Sequence, residues 1–145
     1  MPAKSRILVA MLLVLPFGYL ASATVGFKPA QTYAVGSASK MTAVADFNND
    51  GKPDIAVVYF GDPSSGDDGG VSILVGNGDG TFQPATNLIA GKNPTRIAAG
   101  DFNSDGKSDL IVVLAGDASV RDNGDAAIFL GNGDGTFSVQ EQVSS

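Results

Sequence analysis

The chain has 145 residues and a formal net charge of −6, and it contains neither histidine nor cysteine. The two missing residue types exclude Ser-His-Asp and Cys-His catalytic machinery, thiolate zinc sites and disulfides. The acidic balance argues against nucleic acid as a partner, because few cations are present to neutralise phosphates. Glycine is abundant, with 19 residues, and all but one of the 15 acidic residues are Asp, so the composition favours turns over helices.

The N-terminus has the three-part pattern of a secretory signal. Two cations in the first six residues precede an apolar run over residues 7–15, and the small residues Ala21-Ser22-Ala23 follow. We predict a signal peptide over residues 1–23, cleaved after Ala23, and a secreted, extracellular protein. The alternative is a membrane anchor, but a spanning helix needs roughly 20 apolar residues and Pro16 interrupts this run. No transmembrane segment is therefore expected after cleavage.

The remainder of the chain is a repeat with a period of 55 residues. The segment DFNNDGKPDIAVV at 46–58 returns as DFNSDGKSDLIVV at 101–113, and GNGDGTF at 76–82 returns unchanged at 131–137. Such a period predicts stacked structural units of four short strands each. We divide the chain into a lead-in with one outer strand (24–40), a first repeat (41–94) and a second repeat (95–145).

The predicted strands are the same in both repeats, and the predicted fold class is all-β. An Ala- and Gly-rich strand comes first and suits a crowded inner position; two apolar strands follow and are expected to be central. An outer strand containing Pro84 comes last, because proline cannot donate to a ladder. The predicted segments are 42–45, 55–60, 71–75 and 82–90 in the first repeat, and 96–100, 110–114 and 126–130 in the second.

Two Asp-rich segments, the first Asp loop (46–54) and the second Asp loop (101–109), carry the predicted chemistry. Oxygen-bearing side chains occupy positions 1, 3, 5 and 9, glycine permits a sharp turn at position 6, and the carbonyl at position 7 can supply another oxygen. Such hard oxygen ligands suit Ca²⁺, or less well Mg²⁺ or Mn²⁺, and two calcium ions are predicted. The predicted ligands are Asp46, Asn48, Asp50, the Lys52 carbonyl and Asp54 for one ion, and Asp101, Asn103, Asp105, the Lys107 carbonyl and Asp109 for the other.

A cation has a physical reason to bind there. Carboxylates about 4 Å apart repel by roughly 4 kcal/mol per pair at an effective dielectric constant near 20, and a divalent ion reverses that repulsion. The loops differ from an EF-hand, because the twelfth positions are Val57 and Val112 rather than Glu. The alternative interpretation is a pair of Asx turns, in which the side-chain oxygens cap backbone amides without an ion. The two lysine ammonium groups are expected to point into solvent.

The other conspicuous residues are predicted to have structural roles, and no catalytic residue is predicted. The four phenylalanines of the repeated motifs are expected to be packing anchors, and the remaining Asp residues to lie in solvated loops or to form turns. The phenylalanines are Phe47, Phe82, Phe102 and Phe137; the loop residues are Asp62, Asp67, Asp68, Asp117, Asp122 and Asp125; the turn formers are Asp79 and Asp134.

The two Asp loops together with the GNGDGTF segments resemble FG-GAP repeats of the VCBS type. These repeats are akin to the calcium-binding blades of integrin α-subunit β-propellers. The resemblance implies four-stranded antiparallel blades of a β-propeller, with calcium held in the loop between the first two strands of each blade by the ligands given above. It also implies binding of proteins or glycans outside the cell, and some such propellers are attached to enzymes.

Two blades are fewer than a propeller needs. Propellers typically have at least four blades, and repeats generally need about three units to bury their faces. Two apolar faces are therefore expected to stay exposed in one copy. The open alternatives are association with further copies of the chain, a shortened version of a longer protein, and a curved stack with frayed ends.

The sequence thus predicts a secreted calcium-binding module for recognition or adhesion, whose partner is an extracellular protein or glycan. One alternative is the metal-stabilised propeller portion of a secreted lyase or hydrolase. Another is a structural segment that calcium merely stiffens.

Overall fold

The computed structural model of the protein describes residues 29–115, 124–139 and 143–144. The chain divides into two compact units, Met1–Ala30 and Gln31–Ser145. Only residues 29 and 30 of the first unit are described, and both are exposed. The predicted signal peptide lies outside the described residues, as do Asp117 and Asp122. Within the described ranges, no helix is long and apolar enough to span a membrane.

Two antiparallel sheets account for the strands described in the second unit, and they confirm the all-β prediction of propeller-like blades. In each sheet the order of strands in space follows their order along the chain, except that the last short strand returns to pair with β7. Blade 1 consists of β1 (Ser39–Ala45), β2 (Asp54–Tyr59), β3 (Gly70–Leu74) and β4 (Thr86–Ile89), with a short 3₁₀ turn at Pro63–Ser65. Blade 2 consists of β5 (Pro94–Gly100), β6 (Asp109–Leu114), β7 (Asp125–Gly131), β8 (Phe137–Val139) and β9 (Val143–Ser144).

The outer strand of each blade is described in two pieces. In blade 1, Phe82 forms an isolated bridge with Gly76, and regular pairing resumes only at β4, so the strand is shorter than predicted. Pro84 lies in the gap, and its missing N–H explains why the ladder stops there. In blade 2 the corresponding pieces are β8 and β9. The pair Ala126 and Val143 repeats, at the 55-residue offset, the pairing of β3 with β4.

The lead-in was predicted to contain an outer strand, but residues 29–36 form none. A strand needs a paired neighbour, and no described strand pairs with this segment. The lead-in is nevertheless fixed on blade 1, because the Gly36 N–H donates to the Ser72 hydroxyl at 3.0 Å. A Cβ atom at Gly36 would collide with the Tyr59 ring, so glycine is required for this close approach.

The hydrophobic core lies between the two blades. One face of blade 1 and one face of blade 2 form a single cluster of buried side chains, and the inner strands β1 and β5 are in contact. Small residues at this contact, Ala43, Ala45 and Ala99, fit the crowded inner position that the composition predicted. The fully or almost fully buried members of the cluster include Ala56, Val58, Val71 and Ile73 of blade 1 and Ile97, Leu110, Val112, Ala127 and Phe129 of blade 2.

The phenylalanine anchors behave differently in the two repeats. Phe47 is 1% exposed, and its ring centroid lies 5.5 Å from that of Phe137 in blade 2. Phe82 packs edge-to-face on Tyr33 at 5.4 Å. Phe102, the equivalent of Phe47, is 46% exposed, so its predicted role as an anchor is wrong for this chain. The physical reason is that Phe137 packs on Phe47, whereas no ring of the described residues packs on Phe102.

The two phenylalanines provide a matched test of this core. Phe47→Ala should lower the free energy of unfolding by about 3–5 kcal/mol, because it leaves a cavity between the blades. Phe102→Ala makes the same chemical change at an exposed position, and its cost should be about 1 kcal/mol or less. Urea unfolding followed by circular dichroism at low protein concentration measures both. Equal losses in the two variants would show that the core is not where the structure places it.

Candidate metal centre

Each Asp loop joins the first two strands of its blade, β1 to β2 and β5 to β6. The chain turns sharply in both loops at residues with positive φ. In the first loop these are Asn49 (57°) and Gly51 (79°), and in the second Ser104 (62°) and Gly106 (83°). A Cβ atom at Gly51 would meet nothing, so glycine is needed there for its backbone conformation and not for space.

Backbone N–H groups hold the side-chain oxygens of the first three polar positions. In the first loop, Asp46 accepts from the N–H of Asp50 at 3.2 Å and from that of Gly51 at 2.8 Å. Asn48 accepts from the same Asp50 N–H at 3.1 Å, so the oxygens of positions 1 and 3 meet at one amide. Asp50 in turn accepts from the Lys52 N–H at 2.9 Å. These are the Asx turns of the alternative interpretation.

The second loop repeats these bonds. Asp101 accepts from the N–H groups of Asp105 at 3.1 Å and Gly106 at 2.9 Å, and Asn103 accepts from the Asp105 N–H at 3.0 Å. Asp105 accepts from the Lys107 N–H at 2.9 Å. The agreement of two independent copies shows that the nine-residue motif itself determines the loop conformation.

The lysine at position 7 turns back onto the loop instead of extending into solvent as expected. The Lys52 ammonium lies 3.2 Å from an Asp50 oxygen, and the Lys107 ammonium lies 4.0 Å from Asp105. The pKa of the Asp50 carboxyl is lowered from its ordinary value of 3.8. Desolvation acts against this shift, but hydrogen bonds from the Lys52 N–H and Asn48 and the charge of the ammonium outweigh it. A positive charge is therefore favoured beside this carboxylate.

The aspartates at position 9 are fully buried and act as clamps on the backbone. Asp54 accepts from the N–H of Phe47 at 2.8 Å and from that of Gly76 at 2.7 Å. Asp109 accepts in the same way from Phe102 at 2.9 Å and Gly131 at 2.8 Å. Each carboxylate thus ties the start of its Asp loop to the beginning of the GNGDGTF segment of the same blade.

Sequence reasoning missed this clamp, although one signal was available. Gly76 and Gly131 recur at the same place in the two repeats, and a Cβ atom at Gly76 would lie 2.2 Å from the Pro53 carbonyl oxygen. Glycine at this site permits the backbone to approach Asp54. The prediction that Asp54 and Asp109 also bind a metal stays a prediction.

The oxygen atoms present fit a hard divalent cation. A carboxylate oxygen has two lone pairs, so an oxygen that accepts one hydrogen bond can still bind an ion. Each loop provides two carboxylates and one side-chain amide near its surface, Asp46, Asp50 and Asn48 in the first loop. Over the described ranges, no three acidic side chains form a group that could hold a metal, which agrees with the inward turn of Asp54 and Asp109.

The first Asp loop also touches the neighbouring blade. The Gly135 N–H of blade 2 donates to the Phe47 carbonyl at 3.0 Å, and a Cβ atom at Gly133 would lie 2.7 Å from the Asn49 side chain. Asp46 and Asn48 are accordingly half-buried. In the second loop, the equivalent residues Asp101 and Asn103 are exposed.

Asp79 and Asp134 support turns, as predicted, whereas Asp125, which was predicted to lie in a loop, begins β7 because it pairs with Leu114 of β6. Asp79 and Asp134 accept from the N–H and hydroxyl groups of Thr81 and Thr136. Hydrogen bonds from the Thr136 hydroxyl and N–H lower the pKa of Asp134. Asp62 accepts from Ser64 in the same manner. These carboxylates stabilise loop conformations and are not brought together into a site.

The segment that carries both loops matches a known family. Residues 46–112 match the model of the FG-GAP-like repeat. These residues belong to the FG-GAP-like repeat family. The matched FG-GAP segment runs from Asp46, at the start of the first Asp loop, to Val112 in β6, so it includes both candidate centres. A comparison with curated proteins found no match.

The clamp of the FG-GAP repeat can be tested by a conservative substitution. Asp54→Asn keeps the shape of the side chain but offers one acceptor oxygen to two buried N–H donors. One donor is left unsatisfied, which should lower the free energy of unfolding by about 1–3 kcal/mol. Asp68→Asn is the matched control, because Asp68 is exposed. Thermal and urea unfolding measure both variants, and equal stability of the two would contradict the role of Asp54.

Proposed function

We propose that this chain is a secreted, calcium-binding FG-GAP/VCBS repeat protein that recognises an extracellular protein or glycan. The observation that carries the proposal is the pair of Asp loops. Both copies have the same side-chain oxygens at positions 1, 3 and 5, held by the same backbone hydrogen bonds. Conformations fixed in this way lose little further entropy when an ion binds.

In each loop, the proposed ligands are the side chains at positions 1, 3 and 5 and the carbonyl at position 7. Asp46, Asn48, Asp50 and Lys52 fill these positions in the first loop. The aspartate at position 9 holds the base of the loop and remains available as a further ligand through its free lone pairs. Bound calcium would neutralise both surface carboxylates of a loop, whereas the lysine ammonium compensates only the one at position 5.

Recognition fits the chemistry of the chain better than catalysis. FG-GAP repeats are typically non-catalytic recognition modules. The chain has no histidine or cysteine. The carboxylates of both Asp loops accept hydrogen bonds from backbone N–H groups, and those of the turn residues Asp62, Asp79 and Asp134 accept from backbone N–H and hydroxyl groups. A general base needs a carboxylate that faces a substrate, which such turn-forming groups do not provide.

Calcium binding should show two sites that can be removed one at a time. Isothermal titration with Ca²⁺ should give two ions per chain. Asp50→Ala and Asp105→Ala should each remove one ion, and the double variant should bind none, because each substitution deletes a surface carboxylate of one loop. Asp68→Asn is the control and should retain both ions.

Circular dichroism of each variant separates loss of the site from loss of the fold. A folded wild-type protein that gives no heat and no rise in melting temperature at millimolar calcium would refute the calcium site. Loss of both ions in a single variant would instead show that the loops do not bind independently.

Recognition should depend on the ion. The purified protein is offered to arrayed glycans and extracellular proteins in calcium and then in chelator. We expect binding in calcium that weakens in chelator and in the Asp50→Ala, Asp105→Ala double variant, because loss of the ion changes the charge that both loops present at the surface. Calcium binding without any bound glycan or protein would leave a purely structural ion and contradict the recognition function.

A further inference from the structure

The lysine at position 7 of each Asp loop connects two parts of its blade. A Cβ atom at Gly78 would come within 2.6 Å of the Lys52 Cδ atom, so the Lys52 stem lies directly on the GNGDGTF turn of blade 1. A Cβ atom at Gly133 would lie 3.3 Å from the Lys107 Cδ atom, so the second repeat has the same arrangement. Long cationic side chains commonly lay their methylene groups on a surface and keep the charged end in water. Each stem is therefore anchored on a turn beside its loop.

In the first loop, the anchored stem brings its ammonium group to one particular oxygen. The two carboxylate oxygens of Asp46 accept from the N–H groups of Asp50 and Gly51. Asp50 uses Oδ1 to accept from the Lys52 N–H at 2.9 Å, and its Oδ2 accepts from the Lys52 ammonium at 3.2 Å. A calcium ion that approaches Asp50 Oδ2 therefore meets a cation already in place.

The second loop has a different donor on the equivalent oxygen. The side-chain amide of Asn103 donates to Asp105 Oδ2 at 3.1 Å, and the Lys107 ammonium lies farther from the same oxygen, at 4.0 Å. The Lys107 charge also acts on the GNGDGTF turn, where it adds to the hydrogen bonds from Thr136 that lower the pKa of Asp134. The second loop thus holds its ammonium less closely than the first.

We propose that the lysines at position 7 are built-in competitors of calcium, which lower the affinity of the Asp loops for the ion, Lys52 more strongly than Lys107. This inference rests on the calcium sites proposed above. Any residue can supply a backbone carbonyl, so ligation at position 7 does not itself require lysine. The ammonium repels a divalent ion that approaches the same carboxylate. Because exposed ion pairs are weak, the lysine tunes the affinity and does not block the site.

The same ammonium has opposite effects on the empty and on the loaded loop. In the empty loop it offsets part of the repulsion between the carboxylates of Asp46 and Asp50. In the loaded loop the ion does this, and the ammonium only adds repulsion between cations. Removal of the ammonium should therefore destabilise the empty protein and strengthen ion binding, a combination that a lysine with a purely structural role would not produce.

Calcium titration of charge variants tests the proposal in the Asp105→Ala background, which leaves only the first loop to bind. Lys52→Met removes the ammonium but keeps an unbranched apolar stem, and it should raise the calcium affinity about three- to tenfold. Lys52→Arg keeps a positive charge and should change the affinity by about twofold or less. Lys92→Met is the matched control for net charge, because this exposed lysine follows β4 at the end of blade 1 opposite the Asp loop.

Melting temperatures in chelator and in calcium provide a second readout. Lys52→Met should melt below its parent in chelator, and the difference should shrink or reverse as calcium is added. Equal losses in both conditions would indicate a packing role alone and contradict the proposal. Lys107→Met, made in the Asp50→Ala background, should raise the affinity of the second loop by a smaller factor than Lys52→Met raises that of the first.

The remaining outcomes separate this inference from the calcium sites themselves. Equal affinities of the parent and Lys52→Met overturn the proposal, and so do equal gains in Lys52→Met and Lys92→Met, which would assign the effect to net charge. A larger gain from Lys107→Met than from Lys52→Met overturns the order of the two lysines. A protein that binds two ions and is indifferent to both lysines refutes this inference alone, whereas a folded wild-type protein that binds no calcium refutes the proposed function with it.

Discussion

A buried carboxylate organises each blade. Asp54 is fully removed from solvent, and a charge in such a place is costly unless hydrogen bonds compensate for it. The N–H groups of Phe47 and Gly76 provide that compensation at 2.8 and 2.7 Å. Because Phe47 follows β1, Asp54 begins β2 and Gly76 follows β3, a single side chain fixes the relative positions of three strand ends. The same bonds recur around Asp109, so every repeat builds its own frame.

That frame also determines where the inter-blade core begins. Asp54 holds the backbone of Phe47, and the Phe47 side chain enters the cluster between the blades. Phe102 has the same backbone bond to Asp109, yet its ring remains half exposed. The local conformation is therefore determined within one repeat, whereas burial is determined by the neighbouring repeat. This division is typical of repeat proteins, whose stability combines the terms of single units with those of their interfaces.

The same division explains which features of the fold and of the candidate site could be predicted from the sequence. Local patterns predicted the four-stranded repeats, the loop between the first two strands of each repeat and the outer position of the strand near Pro84, because these depend on neighbouring residues. The interruption of that outer strand was not predicted. The clamp escaped prediction because Asp54 looks like a metal ligand by its spacing, and its partner Gly76 lies 22 residues away and approaches only through the pairing of β2 with β3. The missing strand in residues 29–36 and the exposure of Phe102 depend on which elements lie beside them in space, which no local pattern reveals.

The candidate calcium loops and the contact between blades share one residue. The Phe47 N–H donates to the clamp at the base of the first Asp loop, and the carbonyl of the same residue accepts from Gly135 of the next blade. A ligand that binds only the folded loop stabilises that fold by mass action. An ion at Asp46 and Asp50 would thus favour the loop conformation that presents the Phe47 carbonyl and ring to blade 2. An occupied loop and stacked blades would therefore favour one another, and the coupling would run through the backbone groups of Phe47.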